Sequence, residues 1–428
     1  MNSASKSKFL SVIINNFISL SIVQGLSILF PLITFPYLLR VLGVEGFGVF
    51  TLIQTVIMYA DLLVSFGFGL SATKAVAKNI NNDNQTNNVI TTVFLIKIIL
   101  FLVPLLFFLI ASFFIPFLQV HFSFILMASL YVIGNILFPD WYFQGVQKMR
   151  FITIVTFISK CISLLLIILL VKKSDDIGNA ILSLSIGNLI AGITGFILLL
   201  TNVSLKRKLA PKKYILAFFR ESGYVFSSII LAPLYSSVNL FILQYFTNPL
   251  TVGYYAISEK IFSAISMLTS VANRTFYPHL TQLYKSSISA FHVQVKKINL
   301  LFVICFSIFA ICQFGFAEFI ISLLSGKKDI KDISYAVEVL KIMSFAVLFS
   351  PYGSYFFQLL IIQGRKKTAV RNIFAVVLIN LITASTLAYF FGGKGMAVNL
   401  CLIVFFIAFF NYYSFYKKTA GLKIQQPG

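Results

Sequence analysis

Apolar stretches of about 20 residues or more, each long enough to cross a bilayer as a helix, recur from one end of this chain to the other. Short polar segments separate them. The pattern predicts twelve spans, at Ser11–Leu39, Phe47–Gly69, Val89–Ile115, Phe122–Phe143, Phe151–Val171 and Ile177–Val203 in the first half. The second half supplies Ser222–Phe246, Val252–Phe276, Ile298–Leu323, Tyr335–Ile362, Val370–Phe391 and Met396–Tyr416. Most are hydrophobic all round, as helices packed against lipid and one another should be. Strands of a membrane barrel would instead read as short alternating segments. The expected fold is therefore all-α and integral to the membrane, in two pseudo-equivalent six-helix bundles around a central cavity.

The polar segments orient the spans. Of the 34 Lys and Arg residues, 22 fall in one alternating set of loops and 7 in the other. Basic loops stay on the cytoplasmic side, so both termini should be cytoplasmic, in agreement with an even span count. The N-terminus is short and basic, and the apolar run behind it is too long for a cleavable signal peptide, so it should be retained as the first span. A basic connector, 206–221, divides the chain into an N-terminal bundle, 1–205, and a C-terminal bundle, 222–428. Each half starts on the same side, which implies parallel repeats about an axis along the membrane normal. The halves also echo one another. Gly46-Phe47-Gly48 opens the second span and Val252-Gly253-Tyr254-Tyr255 the eighth. Phe143-Gln144-Gly145 with Lys148 ends the fourth, and Ile362-Gln363-Gly364 with Lys366 ends the tenth. Pro31 and Pro233 interrupt the first helix of each half, where a proline removes a backbone bond and permits bending.

Composition agrees and excludes other classes. The 428 residues are 59% hydrophobic and 11% charged, against about 25% charged in soluble domains. The net charge of +22 sits in short loops rather than on one amphipathic surface, which argues against a nucleic-acid partner. No loop has room for the catalytic domain of a membrane glycosyltransferase or polymerase. The sequence has no nucleotide-binding loop, no metal-spaced His or Cys cluster and no nucleophile elbow, so an enzyme is not expected. Cys161, Cys305, Cys312 and Cys401 lie inside apolar spans and read as small buried residues. No cofactor is implied. The drive for transport would be a proton or sodium gradient, or the gradient of the cargo itself.

Candidate chemistry rests on ionisable residues inside spans, each costing roughly 2.5–3.5 kcal/mol at mid-bilayer. Lys160 and Asp61 are deepest; Glu259 and Lys260 sit about a third of the way into the eighth span. Each either faces a polar cavity or pairs between helices. Gln54, Asp61 and Ser65 share one helical face. Lys97 and Lys341 are shallow enough to snorkel, and Asp140, Arg274 and Glu318 lie near span ends. Tyr255 and Tyr352 offer hydroxyls on aromatic rings, suited to sugar faces or to an interfacial belt.

Several of these segments resemble a known family. The run Phe35-Pro36-Tyr37-Leu38-Leu39-Arg40-Val41-Leu42-Gly43-Val44-Glu45-Gly46-Phe47-Gly48 resembles the opening signature of the polysaccharide transporter family, O-antigen flippase type, of the multidrug/oligosaccharidyl-lipid/polysaccharide superfamily. Phe66-Gly67-Phe68-Gly69, Asp140-Trp141-Tyr142-Phe143-Gln144-Gly145 and Val252-Gly253-Tyr254-Tyr255 leading into Glu259-Lys260 extend it along the chain. The resemblance implies a fold like the multidrug extrusion proteins and a cargo of undecaprenyl-pyrophosphate-linked O-antigen units. These would be flipped from the cytoplasmic to the periplasmic leaflet of the bacterial inner membrane. It also implies a polysaccharide polymerase and a chain-length regulator as partners. Lys160, Lys260, Arg40 and Arg274 would attract the pyrophosphate, and Asp61 or Glu259 would carry a coupled ion or hold a lysine. The alternatives are a cation-coupled drug or metabolite exporter of the related extrusion family, or a flippase for the peptidoglycan precursor.

Overall fold

The computed structural model describes residues 3–203, 210–230, 237–326 and 333–417. Every regular element among them is helical. The chain divides into two compact units, 1–230 and 231–428.

In the first unit the helices are α1 (Ser3–Ser65), α2 (Phe68–Lys78), α3 (Asp83–Ser112), α4 (Pro116–Val120) and α5 (Phe122–Leu137), then α6 (Asp140–Gly145), α7 (Met149–Leu170), α8 (Ile177–Asn202) and α9 (Lys212–Ile229). The second holds α10 (Val238–Phe246), α11 (Pro249–Ser286), α12 (Ile288–Gly315), α13 (Ala317–Ser325), α14 (Ser334–Ile362) and α15 (Lys366–Lys417).

Among the described residues, eight helices are long and apolar enough to cross a membrane. Two of them cover two expected spans each. The 63-residue α1 leaves helical geometry at Gly43 (φ 70°, ψ 178°), and the 52-residue α15 does so at Gly392 (φ 56°, ψ −133°). Both glycines lie in the left-handed half of backbone space that only glycine enters cheaply. They are the reversals between the first and second and between the eleventh and twelfth expected spans. The α9–α10 pair and α11 fall on the seventh and eighth, where polar residues lower the hydropathy.

Pro31 does not interrupt its helix. Backbone geometry stays helical through Pro31 and Pro36, and the break falls at Gly43. Loss of one N–H bond at a proline is absorbed within a long helix, whereas the φ of Gly43 cannot be. Pro233 lies outside the described residues. The basic connector expected at 206–221 is helical from Lys212 onward.

That helix, α9, closes the first unit, and two of the family-like motifs explain how. Phe66 of the Phe66-Gly67-Phe68-Gly69 run stacks on Phe219 and Phe226 of α9, ring centres 4.6 and 4.9 Å apart. Phe68 stacks on Phe218 at 6.1 Å. Gly67 (φ 78°) brings the backbone so close that a Cβ there would sit 2.9 Å from the Val225 side chain. Trp141, Tyr142 and Phe143 of α6 fill the same core with Val76, Val89 and Val93. Ser71 and Ser222 share a hydrogen bond of 2.8 Å, and Lys74 meets Glu221 at 3.3 Å.

Within the membrane, close backbone approach replaces the hydrophobic drive that lipid cannot supply. A Cβ on Gly134 of α5 would lie 2.5 Å from the Asn188 carbonyl of α8. Ser159 of α7 donates to the Gly187 carbonyl of α8 at 2.7 Å.

Candidate functional site

A charged cluster occupies the interior of the first unit. Asp61 comes from α1, Lys97 from α3, Asn135 from α5 and Asp140 from the start of α6. Lys97 is 4% exposed and its Nζ donates to the Asn135 carbonyl at 2.9 Å. The Asn135 side-chain amide donates to Asp61 Oδ1 at 2.5 Å. Asn188 of α8 donates to Asn135 Oδ1 at 3.0 Å and to the Tyr131 carbonyl at 2.8 Å. Both Asp61 and Asp140 lie within electrostatic reach of Lys97. Gln144 supports Asp140 through its amide at 3.4 Å. The cluster thus brings one cation within electrostatic reach of two carboxylates without a direct ion pair to either, with an asparagine as the connecting hub. An unpaired lysine there would carry the full desolvation cost; here charge and hydrogen bonds offset it.

Lys97 therefore does not snorkel and Asp140 is not merely interfacial, contrary to what their positions along the spans suggest. Distance along a span says how far a side chain is from water, not which neighbour it meets first. Lys97 meets Asn135 before it reaches an interface. Neither Asn135 nor Asn188 stands out in the sequence. An uncharged amide inside an apolar run is a weak signal alone; its meaning here comes from partners on other elements.

The remaining candidates separate. Lys160 on α7 is half-buried, with its Nζ 4.8 Å from the centre of the Phe30 ring of α1. It makes no ion pair with Asp61 or with any other carboxylate among the described residues. A cation over an aromatic face gains about 0.5–2 kcal/mol, less than the cost of its depth. Arg40 is exposed, close before the Gly43 break.

In the second unit Glu259 accepts from Ser263 at 2.9 Å, and both Glu259 and Lys260 are half-buried on α11. Tyr255 is 1% exposed, beside Asn239 and Glu259. Tyr352 on α14 is half-buried and stacks on Phe356 with centres 6.4 Å apart. The side chain of Arg274 lies outside the described residues. A chain of amides also runs through this unit: Asn399 donates to Asn380 at 2.8 Å, Asn380 to Asn239 at 2.9 Å, and Thr383 to Asn399 at 2.6 Å. Of these, only Asn239 stands out in the sequence.

Long apolar helices enclosing buried charges define a multi-pass helical membrane transporter, and comparison with known proteins agrees. The sequence pattern of the polysaccharide biosynthesis protein family matches residues 13–284, and the chain belongs to that family. It is 26% identical over 406 residues to a Shigella dysenteriae protein named "Putative O-antigen transporter", covering 92% of this chain and 98% of that one. An Escherichia coli (strain K12) protein of the same name is 27% identical over 399 residues, covering 91% and 94%. Among solved structures, the fold is similar to a lipid II flippase MurJ in an inward closed conformation, with TM-score 0.71, 13% identity and coverage of 94% and 87%. It is also similar to an inward-facing multidrug resistance MATE transporter, with TM-score 0.64, 11% identity and coverage of 91% and 98%.

Proposed function

We propose that this chain is a flippase that moves undecaprenyl-pyrophosphate-linked O-antigen units from the cytoplasmic to the periplasmic leaflet by alternating access. Both termini are then cytoplasmic. The physical requirement is clear: the polyprenyl tail stays in the bilayer, while a pyrophosphate and its sugars need a polar and preferably cationic route.

The observation that carries this reading is Lys160. It is a half-buried cation in the middle of an apolar helix, held only by a ring face, with no carboxylate against it among the described residues. A site kept for an anionic cargo leaves its cation uncompensated in this way, and family membership supports the cargo class. Lys260, Arg40 and Arg274 extend the same polarity, and Tyr352 supplies a ring hydroxyl to the sugars, while Tyr255 is buried against Asn239 and Glu259. Asp61, set against Lys97 and Asp140, is the ion-coupling group of the first unit, and Glu259 its counterpart in the second.

The test is deletion of the gene in a strain with no second flippase, and then surface-polysaccharide staining. Loss of long-chain polysaccharide, restored by the wild-type chain, is expected. Undiminished display overturns the function.

A further inference from the structure

Two turns of this chain are built alike, and the difference between them exposes a site. At the end of α6, Gln147 takes a left-handed φ of 60° and the Lys148 N–H closes onto the Phe143 carbonyl at 2.8 Å. At the end of α14, Gly364 takes φ 72° and the Arg365 N–H closes onto the Leu360 carbonyl at 2.8 Å. The side chains repeat as well. Lys148 donates to Asn202 Oδ1 near the end of α8 at 2.6 Å, and Arg365 donates to the Ser414 carbonyl near the end of α15 at 2.5 Å. One cation per turn therefore has a structural task, tying the turn to the last helix of its half.

In this register Lys367 corresponds to Arg150. Lys366 stands where the first turn has Met149, and Arg371 where it has Ile154. The second turn thus carries two cations that its counterpart folds without. Lys366, Lys367 and Arg371 are all exposed, and none forms an ion pair among the described residues. No Asp or Glu occurs anywhere from Val339 to Gly428. These three, with Arg365, Val370 and Phe374, line a groove of about 760 Å³. Its walls are mainly lysine and arginine stems together with Val370 and the Phe374 ring, which is 53% exposed.

We propose that this groove at the α14–α15 turn binds the phosphate of an anionic membrane phospholipid. Lys366, Lys367 and Arg371 hold the headgroup, and Val370 and Phe374 lie along the first methylenes of an acyl chain. Charge complementarity selects an anion, because the local cations have no carboxylate to satisfy them. The apolar wall selects a lipid over free phosphate. Phe374 lies inside the apolar span that starts at Val370, where a hydrated ion gains nothing and an acyl chain replaces exposed ring surface. The assignment holds whatever the cargo is.

Native mass spectrometry of the full, delipidated chain in detergent tests the assignment, with phosphatidylglycerol and phosphatidylcholine as probes. The wild type should bind phosphatidylglycerol in preference to phosphatidylcholine. K366Q/R371Q should weaken phosphatidylglycerol binding about twenty-fivefold, from about fivefold for each cation near an anionic surface, and leave phosphatidylcholine binding unchanged. F374S should weaken both lipids while Lys366 and Arg371 remain. R150Q, on the matching turn, should change neither. Unaltered phosphatidylglycerol binding by K366Q/R371Q in a protein that elutes and melts as wild type overturns the site. Displacement of phosphatidylglycerol by millimolar inorganic phosphate, with no effect of F374S, overturns the lipid as its occupant.

Discussion

Removing Lys97 should cost this protein more than removing the charge of Asp61, and the two losses should not add. Lys97 is 4% exposed, is bonded to the Asn135 carbonyl at 2.9 Å and is flanked by two carboxylates. Lys97→Met leaves Asp61 and Asp140, both half-buried, without a cation in reach. Losing the charged hydrogen bond to the Asn135 carbonyl costs about 1.5–3 kcal/mol, and the two carboxylates lose the cation that offsets them at longer range. Asp61→Asn keeps an oxygen to accept from Asn135 and leaves Asp140 to balance Lys97. It forfeits only the charge assistance of one hydrogen bond, about 1 kcal/mol. The double variant removes one cation and one anion together, so its cost should fall below the sum of the singles by about 0.5–3 kcal/mol. Trp141, the single tryptophan, adjoins Asp140 in the chain and reports on this core directly. Unfolding by sodium dodecyl sulfate titration, monitored by Trp141 fluorescence, gives the three free energies. Equal costs for the two single variants, or strict additivity in the double, would refute the cluster as an electrostatic unit.

Three further expectations rest on other parts of the molecule. Gly67→Ala meets Val225 at 2.9 Å and must hold φ 78°; left-handed strain and overpacking together predict about 2–5 kcal/mol of destabilisation in the same titration, with partial recovery in Gly67→Ala/Val225→Ala. Lys160→Ala should reach the membrane at wild-type level yet lower surface polysaccharide, with Lys160→Arg retaining part of it; full display by Lys160→Ala removes that residue from the route. Asp176, in the turn between α7 and α8, accepts the N–H groups of Lys172 and Lys173 at 2.8 and 2.9 Å, and these bonds lower its pKa below the usual carboxylate value. A depressed folded pKa gives protection that is complete above about pH 3.9 and lost as pH falls through the lower folded value. Hydrogen exchange at Lys172 and Lys173 should therefore be faster in Asp176→Ala, which has no side-chain acceptor, than in the wild type at pH 7; equal exchange in both proteins at pH 7 contradicts the assignment.

The class of the protein and the rhythm of its helices were legible in the amino-acid order alone. Hydrocarbon offers no partner to a backbone polar group, so each apolar run must satisfy itself as a helix, and that constraint is local and readable. Which charges lie inside apolar runs was equally legible, since that is a count of residues; how buried each one is was not, as Lys97 shows. Where helices break, and whom a buried charge meets, emerged only from packing. Pro31 is the conspicuous breaker in the sequence, but the backbone turns at Gly43 and Gly392, where glycine enters a positive φ that other residues adopt only at a cost. The similarity of the two turns was visible as Gln-Gly echoes, yet the left-handed residues are Gln147 and Gly364, a register fixed by hydrogen bonds that close over five residues. Lys97 and Asp140 were visible as ionisable residues, and Asn135 was not, although it bonds both Lys97 and Asp61. Its role exists only once α1, α3 and α5 pack together, because a hydrogen bond between helices depends on side-chain directions that no single helix's periodicity contains.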